Sequence, residues 1–272
     1  MKNVIVRSIS GIVYIALIVG ALLGGGWWFF ALSTLFVILA TLEYQMLVAH
    51  RKVVSTIWAR ALDMAAGLSL LAAGPVAQHL GISMMVPGMI VIATFVLLRL
   101  ALALAQHDGD AFASASASVL GLMYIGLPLS LLNNYVSQSD QAAGLVLCMF
   151  VLIWLNDTGA FCVGSLFGKH RLCERLSPKK SWEGFWGGMA ACVTAACIAA
   201  WIGDLPIVQS IVFAVAVSVF STWGDLFESL LKRTAHVKDS GHLIPGHGGI
   251  LDRIDSLLFV SVATVIFAYL AL

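Results

Sequence analysis

Charge is scarce in this chain: Asp, Glu, Lys and Arg make up 11% of 272 residues, against 60% hydrophobic residues. With a mean hydropathy of +0.97 and far less than the roughly 25% charge of an ordinary globular domain, a soluble fold is excluded. Cysteine is also rare, at 5 residues. The number is odd and no Cys-x-x-Cys spacing occurs, which argues against a disulfide framework or a zinc site. Cys148, Cys162, Cys173, Cys192 and Cys197 read instead as small apolar packing residues. The chain has no internal repeat, no low-complexity tract, no soluble second domain and no nucleic-acid-binding motif, so nucleic acid is not an expected partner. A net charge of +1 is silent about partners.

Long apolar runs take the place of charge. A bilayer core of about 30 Å needs roughly 20 apolar residues per helix, and such runs lie near 4–24, 27–49, 60–80, 84–105, 117–136, 141–166, 185–202, 206–231 and 252–272. Nine spans put the N-terminus and the alternate loops on one side. That side collects Lys2, Arg7, Arg51, Lys52, Arg60, Lys169, Arg171, Arg175, Lys179, Lys180, Lys232, Arg233, Lys238 and Arg253, and Arg99 lies toward the same end of the fourth span. The opposite loops, around 74–83, 136–140 and 203–206, hold no Lys or Arg. All 15 basic residues on one face is the positive-inside pattern, which places the N-terminus in the cytoplasm. The first run leads straight into GGGWWFF and a second span, and so reads as a retained helix rather than a cleaved signal.

The charge that exists is concentrated. Between Ser229 and Asp255, SLLKRTAHVKDSGHLIPGHGGILDRID carries Lys232, Arg233, Lys238, Arg253, Asp239, Asp252 and Asp255 with three histidines and four glycines. Carboxylates for a divalent cation, cations for phosphates and a turn that lets backbone amides approach an anion thus share one segment at a membrane edge. Just before it, Asp225 sits about two turns inside the eighth span, with Glu228 one turn on and Lys232 four residues beyond. An intrahelical Glu228–Lys232 pair is one reading. A carboxylate at the depth of Asp225 needs a cavity, a cation or a partner. Asp252 and Asp255 share a helical face at the start of the ninth span, where they either complement the helix dipole or serve a site. Ser177-Pro178-Lys179-Lys180-Ser181-Trp182-Glu183-Gly184 opens the seventh span. Pro178 ends any preceding helix and Ser181 is the N-cap, so two lysines stand at a helix start, as an anion site or as anchors to anionic headgroups. Asp157, in Asn156-Asp157-Thr158-Gly159, lies two to three turns inside the sixth span, as part of a structural polar cluster or as a substrate or ion contact. Glu43, Asp63 and Arg99 read as structural, with Glu43 and Arg99 as an ion pair.

Read in order, S-x-L-K-R, four residues, K-D-x-G and P-x-H-G-G-I-x-D-R-I-D resemble the C-terminal signature of the phosphatidate cytidylyltransferase (CDP-diacylglycerol synthase) family. NDTGAFCVGSLFGKHRLCERLSPKKSWEGFWGG, from Asn156 to Gly188, is similar to the family's other recognisable region. The resemblance covers about a quarter of the chain. It implies an all-α, polytopic integral membrane helical bundle of about nine transmembrane helices. The whole of 1–272 would be one membrane-embedded domain, with its catalytic region mainly in 156–255, in the inner membrane and facing the cytoplasm. It implies catalytic roles for Asp225, Asp252, Asp255 and Asp157, and one magnesium ion held by Asp225 and Asp252. Magnesium suits hard oxygen donors better than zinc does, and a second cation is allowed. Asp255 is either a further ligand or an orienting acid. Phosphate contacts would come from Ser177, Lys179, Lys180 and Ser181, from Lys232, Arg233 and Lys238, and from His247, Gly248, Gly249 and Arg253. His236 and His242 would be hydrogen-bond donors or loop packers, and Gly184, Gly187 and Gly188 would let helices pack closely.

The implied partners are CTP, phosphatidate and the surrounding lipid, and a homodimer is left open. The implied reaction gives CDP-diacylglycerol and pyrophosphate. A CTP-dependent lipid kinase would use similar parts. An ion-coupled transporter would need two related halves with acids near the midplane, whereas here the acids gather toward one face.

Overall fold

The computed structural model describes residues 2–51, 53, 55–107, 109–241, 243 and 248–271. These form α1 (Lys2–Leu23), α2 (Gly26–His50), α3 (Ile57–Leu80), α4 (Met85–Leu104), α5 (Ala111–Val136) and α6 (Asp140–Phe167), then β1 (Arg171–Cys173) and β2 (Ser177–Ser181), then α7 (Trp182–Gly203), α8 (Ile207–Thr234) and α9 (Leu251–Ala271). Eight helices, α2 to α9, are long and apolar enough to cross a membrane, and α1 adds a shorter apolar section, Ser10–Leu23. The chain is an all-α integral membrane protein. Large apolar side chains remain exposed along its helices, Leu104 at 89% and Trp201 at 85% among them, as befits a surface whose solvent is lipid.

Local chemistry sets the helix starts. Thr56 caps α3 by accepting the Ala59 amide at 3.2 Å, Asp110 caps α5 through Ala113 at 2.9 Å, and Ser181 caps α7 through Gly184 at 3.1 Å. Helix α5 begins at Ala111 rather than near 117 because its serines, which weaken the apolar signal, find partners inside the protein. Ser114 and Ser118 accept from the Arg99 guanidinium at 2.6 and 2.8 Å. Further along, Leu122–Gly126 is wound as a π turn. Pro128 follows it, and a proline ring crowds the carbonyl four residues back, here that of Tyr124, so a widened turn relieves the clash.

The chain divides into two compact units, Met1–Ala143 with Thr234–Arg253, and Gly144–Arg233 with Ile254–Leu272. The first has a core around Ala66, Leu70, Phe95 and Leu122, from α3, α4 and α5. The expected pairing of Arg99 with Glu43 is corrected by the structure. Arg99, 1% exposed, faces Asp63 at 3.8 Å, and Ser118 donates to the same carboxylate at 3.0 Å. Glu43 is instead engaged by the backbone amides of Ile250 and Leu251.

In the second unit α6 and α7 pack through glycines. A Cβ on Gly159 would lie 2.9 Å from the Gly187 carbonyl oxygen, and one on Gly188 2.7 Å from that of Asn156, so side chains there would force the helices apart. Helices α8 and α9 approach as closely at Gly224, where a Cβ would sit 2.9 Å from Ser256 Cα. The Phe213–Phe267 and Phe227–Phe259 ring pairs, at 4.8 and 5.6 Å, and a 3.1 Å hydrogen bond from Ser256 Oγ to the Ser221 carbonyl fasten the same pair of helices. Strands β1 and β2 run antiparallel, Arg171 opposite Ser181 and Cys173 opposite Ser177, as a hairpin between α6 and α7.

Candidate active site

The second unit contains a pocket of about 550 Å³. Helix α6 contributes Asn156, Asp157, Phe161 and Gly164, the hairpin contributes Arg171, Ser177, Lys179, Lys180 and Ser181, and Ser221, Thr222 and Asp225 come from α8. Its polar wall is braced from behind. The buried Asn156 side chain accepts the Ser218 hydroxyl at 2.7 Å and donates to Ser221 at 3.5 Å, tying α6 to α8 beside Asp157. The hairpin is braced at both ends. Arg233 Nε donates to the Leu176 carbonyl at 3.3 Å, and Glu183 accepts the Lys169 amide at 3.1 Å while meeting His170 Nδ1 at 2.6 Å.

Beside this pocket Asp225, Glu228 and Asp255 each present a carboxylate oxygen, all within 4.8 Å of one another. The close approach at Gly224 makes this possible, because the residue before Asp225 lets the α9 backbone at Asp255 and Ser256 lie against α8. Three gathered carboxylates repel unless cations intervene. Lys180 forms an ion pair with Asp225, and Lys232 pairs with Glu228 at 2.5 Å. Asp255 accepts the Ser256 amide at 2.7 Å, and Ser229 Oγ lies 3.4 Å from Asp225. Three acids against two lysines leave the cluster formally negative. Its oxygen donors fit a hard divalent cation such as magnesium, and the Lys180 ammonium seated on Asp225 marks a place where positive charge is accommodated. The opposite wall, with Arg171 and Lys179 exposed, suits phosphate oxygens.

Of the residues singled out from sequence, Asp157, Ser177, Lys179, Lys180, Ser181 and Asp225 line this one pocket, and Asp255 joins Asp225. Lys232 and Arg233 are engaged with Glu228 and Leu176. Sequence reasoning does not single out Arg171, Glu228 or Ser221 as site residues. Glu228 carries a signal, one turn from Asp225, whereas Arg171 becomes visible only once the hairpin brings it to the pocket.

Asp252 belongs to the first unit. Its Oδ2 accepts the Ser240 amide at 3.0 Å, the Ser240 hydroxyl at 2.9 Å and the Gly249 amide at 2.8 Å, so this oxygen holds the turn before α9. Gly248 has a positive φ of 82°, and a Cβ there would lie 2.6 Å from the same oxygen, so a glycine is needed on both counts. Lys238 and Arg253 are exposed in this unit, and Tyr14 donates to the Arg253 carbonyl at 3.1 Å. His242, His247 and Lys52 lie outside the described residues.

A family model described as the cytidylyltransferase family matches residues 5–271. A phosphatidate cytidylyltransferase of Haemophilus influenzae is 44% identical over 132 residues, 46% of this chain and 46% of that one. Its counterpart in Bacillus subtilis is 41% identical over 143 residues, 52% of this chain and 53% of the relative. That of Mycobacterium tuberculosis strain H37Rv is 41% identical over 132 residues, 46% of this chain and 38% of the relative. The chain thus spans about half the length of the curated relatives it matches, or less.

Proposed function

This chain belongs to the cytidylyltransferase family, and from that premise we propose that it joins CTP to phosphatidate, giving CDP-diacylglycerol and pyrophosphate. The observation that carries the proposal is the pocket in which the Asp225 carboxylate faces a hairpin bearing Arg171, Lys179 and Lys180. One wall suits a metal-bound polyphosphate and the other suits bare phosphate oxygens. The names of the relatives support the choice of substrates.

Magnesium would be held by Asp225, with Asp255 and Glu228 beside it, and would supply charge neutralisation for the nucleotide phosphates. The resemblance adds Asp252 as a ligand, on sequence grounds. Arg171, Lys179 and Lys180 hold phosphate oxygens and orient the two anions. Asn156 and Ser221 fix the wall behind Asp157. A phosphatidate oxygen attacks the α-phosphorus of CTP in line, a new P–O bond forms, and the bond from the α-phosphorus to the bridging oxygen breaks with the electron pair leaving on pyrophosphate. The attacking phosphate is already ionised at neutral pH, so no strong general base is required. Positioning and charge stabilisation carry the reaction.

We place the active site on the cytoplasmic face of a bacterial inner membrane, supported by the one-sided distribution of the 15 Lys and Arg residues. Purified protein given CTP and phosphatidate, with and without magnesium, tests the reading. A cytidylyl lipid and pyrophosphate, formed only with the metal, are the expected products. CDP and a phosphorylated lipid would point to a kinase.

A further inference from the structure

We propose that Glu43, on α2, is a positioning residue that holds the turn carrying Asp252 in the geometry the reaction needs. It rests on the proposed activity but on a residue that lies outside both sequence motifs. Glu43 is 4% exposed in a membrane-spanning helix, where a carboxylate must have its oxygens satisfied. Its partners among the described residues are backbone amides and a hydroxyl. Oε1 accepts the Ile250 amide at 2.8 Å, and Oε2 accepts the Leu251 amide at 2.8 Å and lies 3.0 Å from the Ser240 hydroxyl. Ile250 and Leu251 form the start of α9, whose first amides have no partner within the helix and whose dipole favours negative charge. A side chain from some two hundred residues away, at separations of 207 and 208, thus caps the helix that bears Asp252.

Two further contacts make the hold specific. A Cβ on Gly241 would lie 2.6 Å from Glu43 Oε1, and one on Gly249 would lie 2.6 Å from Glu43 Cδ, so the glycines close directly over this carboxylate. The Ser240 hydroxyl stands between two acids, 3.0 Å from Glu43 and 2.9 Å from Asp252. It has one hydrogen to donate. Moving Glu43 therefore redistributes the bonds that orient Asp252, and Glu43 acts through that residue without touching substrate.

Hydrogen exchange and steady-state kinetics on the full chain, as wild type, Glu43→Gln and Glu43→Asp, test the proposal. Glutamine keeps one acceptor but turns an NH2 group toward backbone donors. Aspartate keeps the charge but is one methylene too short to reach both amides. The expected result is faster exchange at Ile250 and Leu251 with an unchanged unfolding midpoint. Turnover should fall roughly 10–100-fold, the range for groups that orient ligating residues, with the half-saturating magnesium concentration raised, the Michaelis constant for phosphatidate unchanged, and Glu43→Asp between the other two. Wild-type turnover in an inserted variant, unchanged exchange at the two amides, or a loss that only tracks the folded fraction would overturn it. If Glu43→Gln fails to insert, Glu43→Asp is judged by the same criteria. A wild-type protein that makes no cytidylyl lipid sinks the proposed activity instead, and exchange still decides whether Glu43 holds the turn.

Discussion

Asp225 meets a lysine, a serine and two further carboxylates. A carboxylate in that position offers both charge and an oxygen donor, whereas asparagine keeps the shape and one oxygen but loses the charge. Asp225→Asn and Asp255→Asn should each lower kcat/KM by orders of magnitude, and the double variant should cost little more than the worse single, as for groups acting as one unit. Additive losses in a double-mutant cycle would mean that the two acids act separately. Lys180 is tied to the same carboxylate. Its ammonium pairs with Asp225 in the wall of the pocket.

At the level of elements, the spacing of small residues decides how close the helices come. Gly224 stands next to Asp225 because α9 passes directly against it. Gly224→Ala should push α8 from α9, separating Asp225 from Asp255, and destabilise by about 1–3 kcal/mol as overpacking does. Activity should fall further than the shift in thermal midpoint accounts for, and wild-type kinetics in the folded variant would refute the link. The nine helices among the described residues are readable from apolar runs because a span must be long and apolar. The Ser181 cap is readable because capping is local chemistry. The hairpin is not, since Arg-Leu-Cys and Ser-Pro-Lys-Lys-Ser have no alternating pattern, and Pro178 weighs against a strand. The partner of Arg99 escapes sequence reasoning for a similar reason: charge says that an acid is needed, and only packing chooses Asp63 over Glu43.

For the whole molecule, the sequence joins two kinds of residue that the structure treats differently. Asp157, the Ser177–Ser181 run and Asp225 converge on one pocket within the second unit. The Gly248–Gly249 turn and Asp252 are built into the first, with Glu43 beneath them. Motif order points to the chemistry proposed and cannot foretell this division, which depends on contacts between residues far apart in the chain. Cysteines introduced one at a time in the 136–140 and 238–241 loops should be labelled from opposite sides of the membrane, and labelling from the same side would contradict nine spans. Transfer of a cytidylyl group to a lipid phosphate is the activity proposed for the pocket. CTP labelled at the α-phosphate and CTP labelled at the γ-phosphate, each incubated with phosphatidate, magnesium and purified protein, test it most directly. The α label is expected to enter the lipid and the γ label to leave as pyrophosphate, with both outcomes abolished by Asp225→Asn. Lipid carrying the γ label, or no labelled lipid from the wild type, would contradict it.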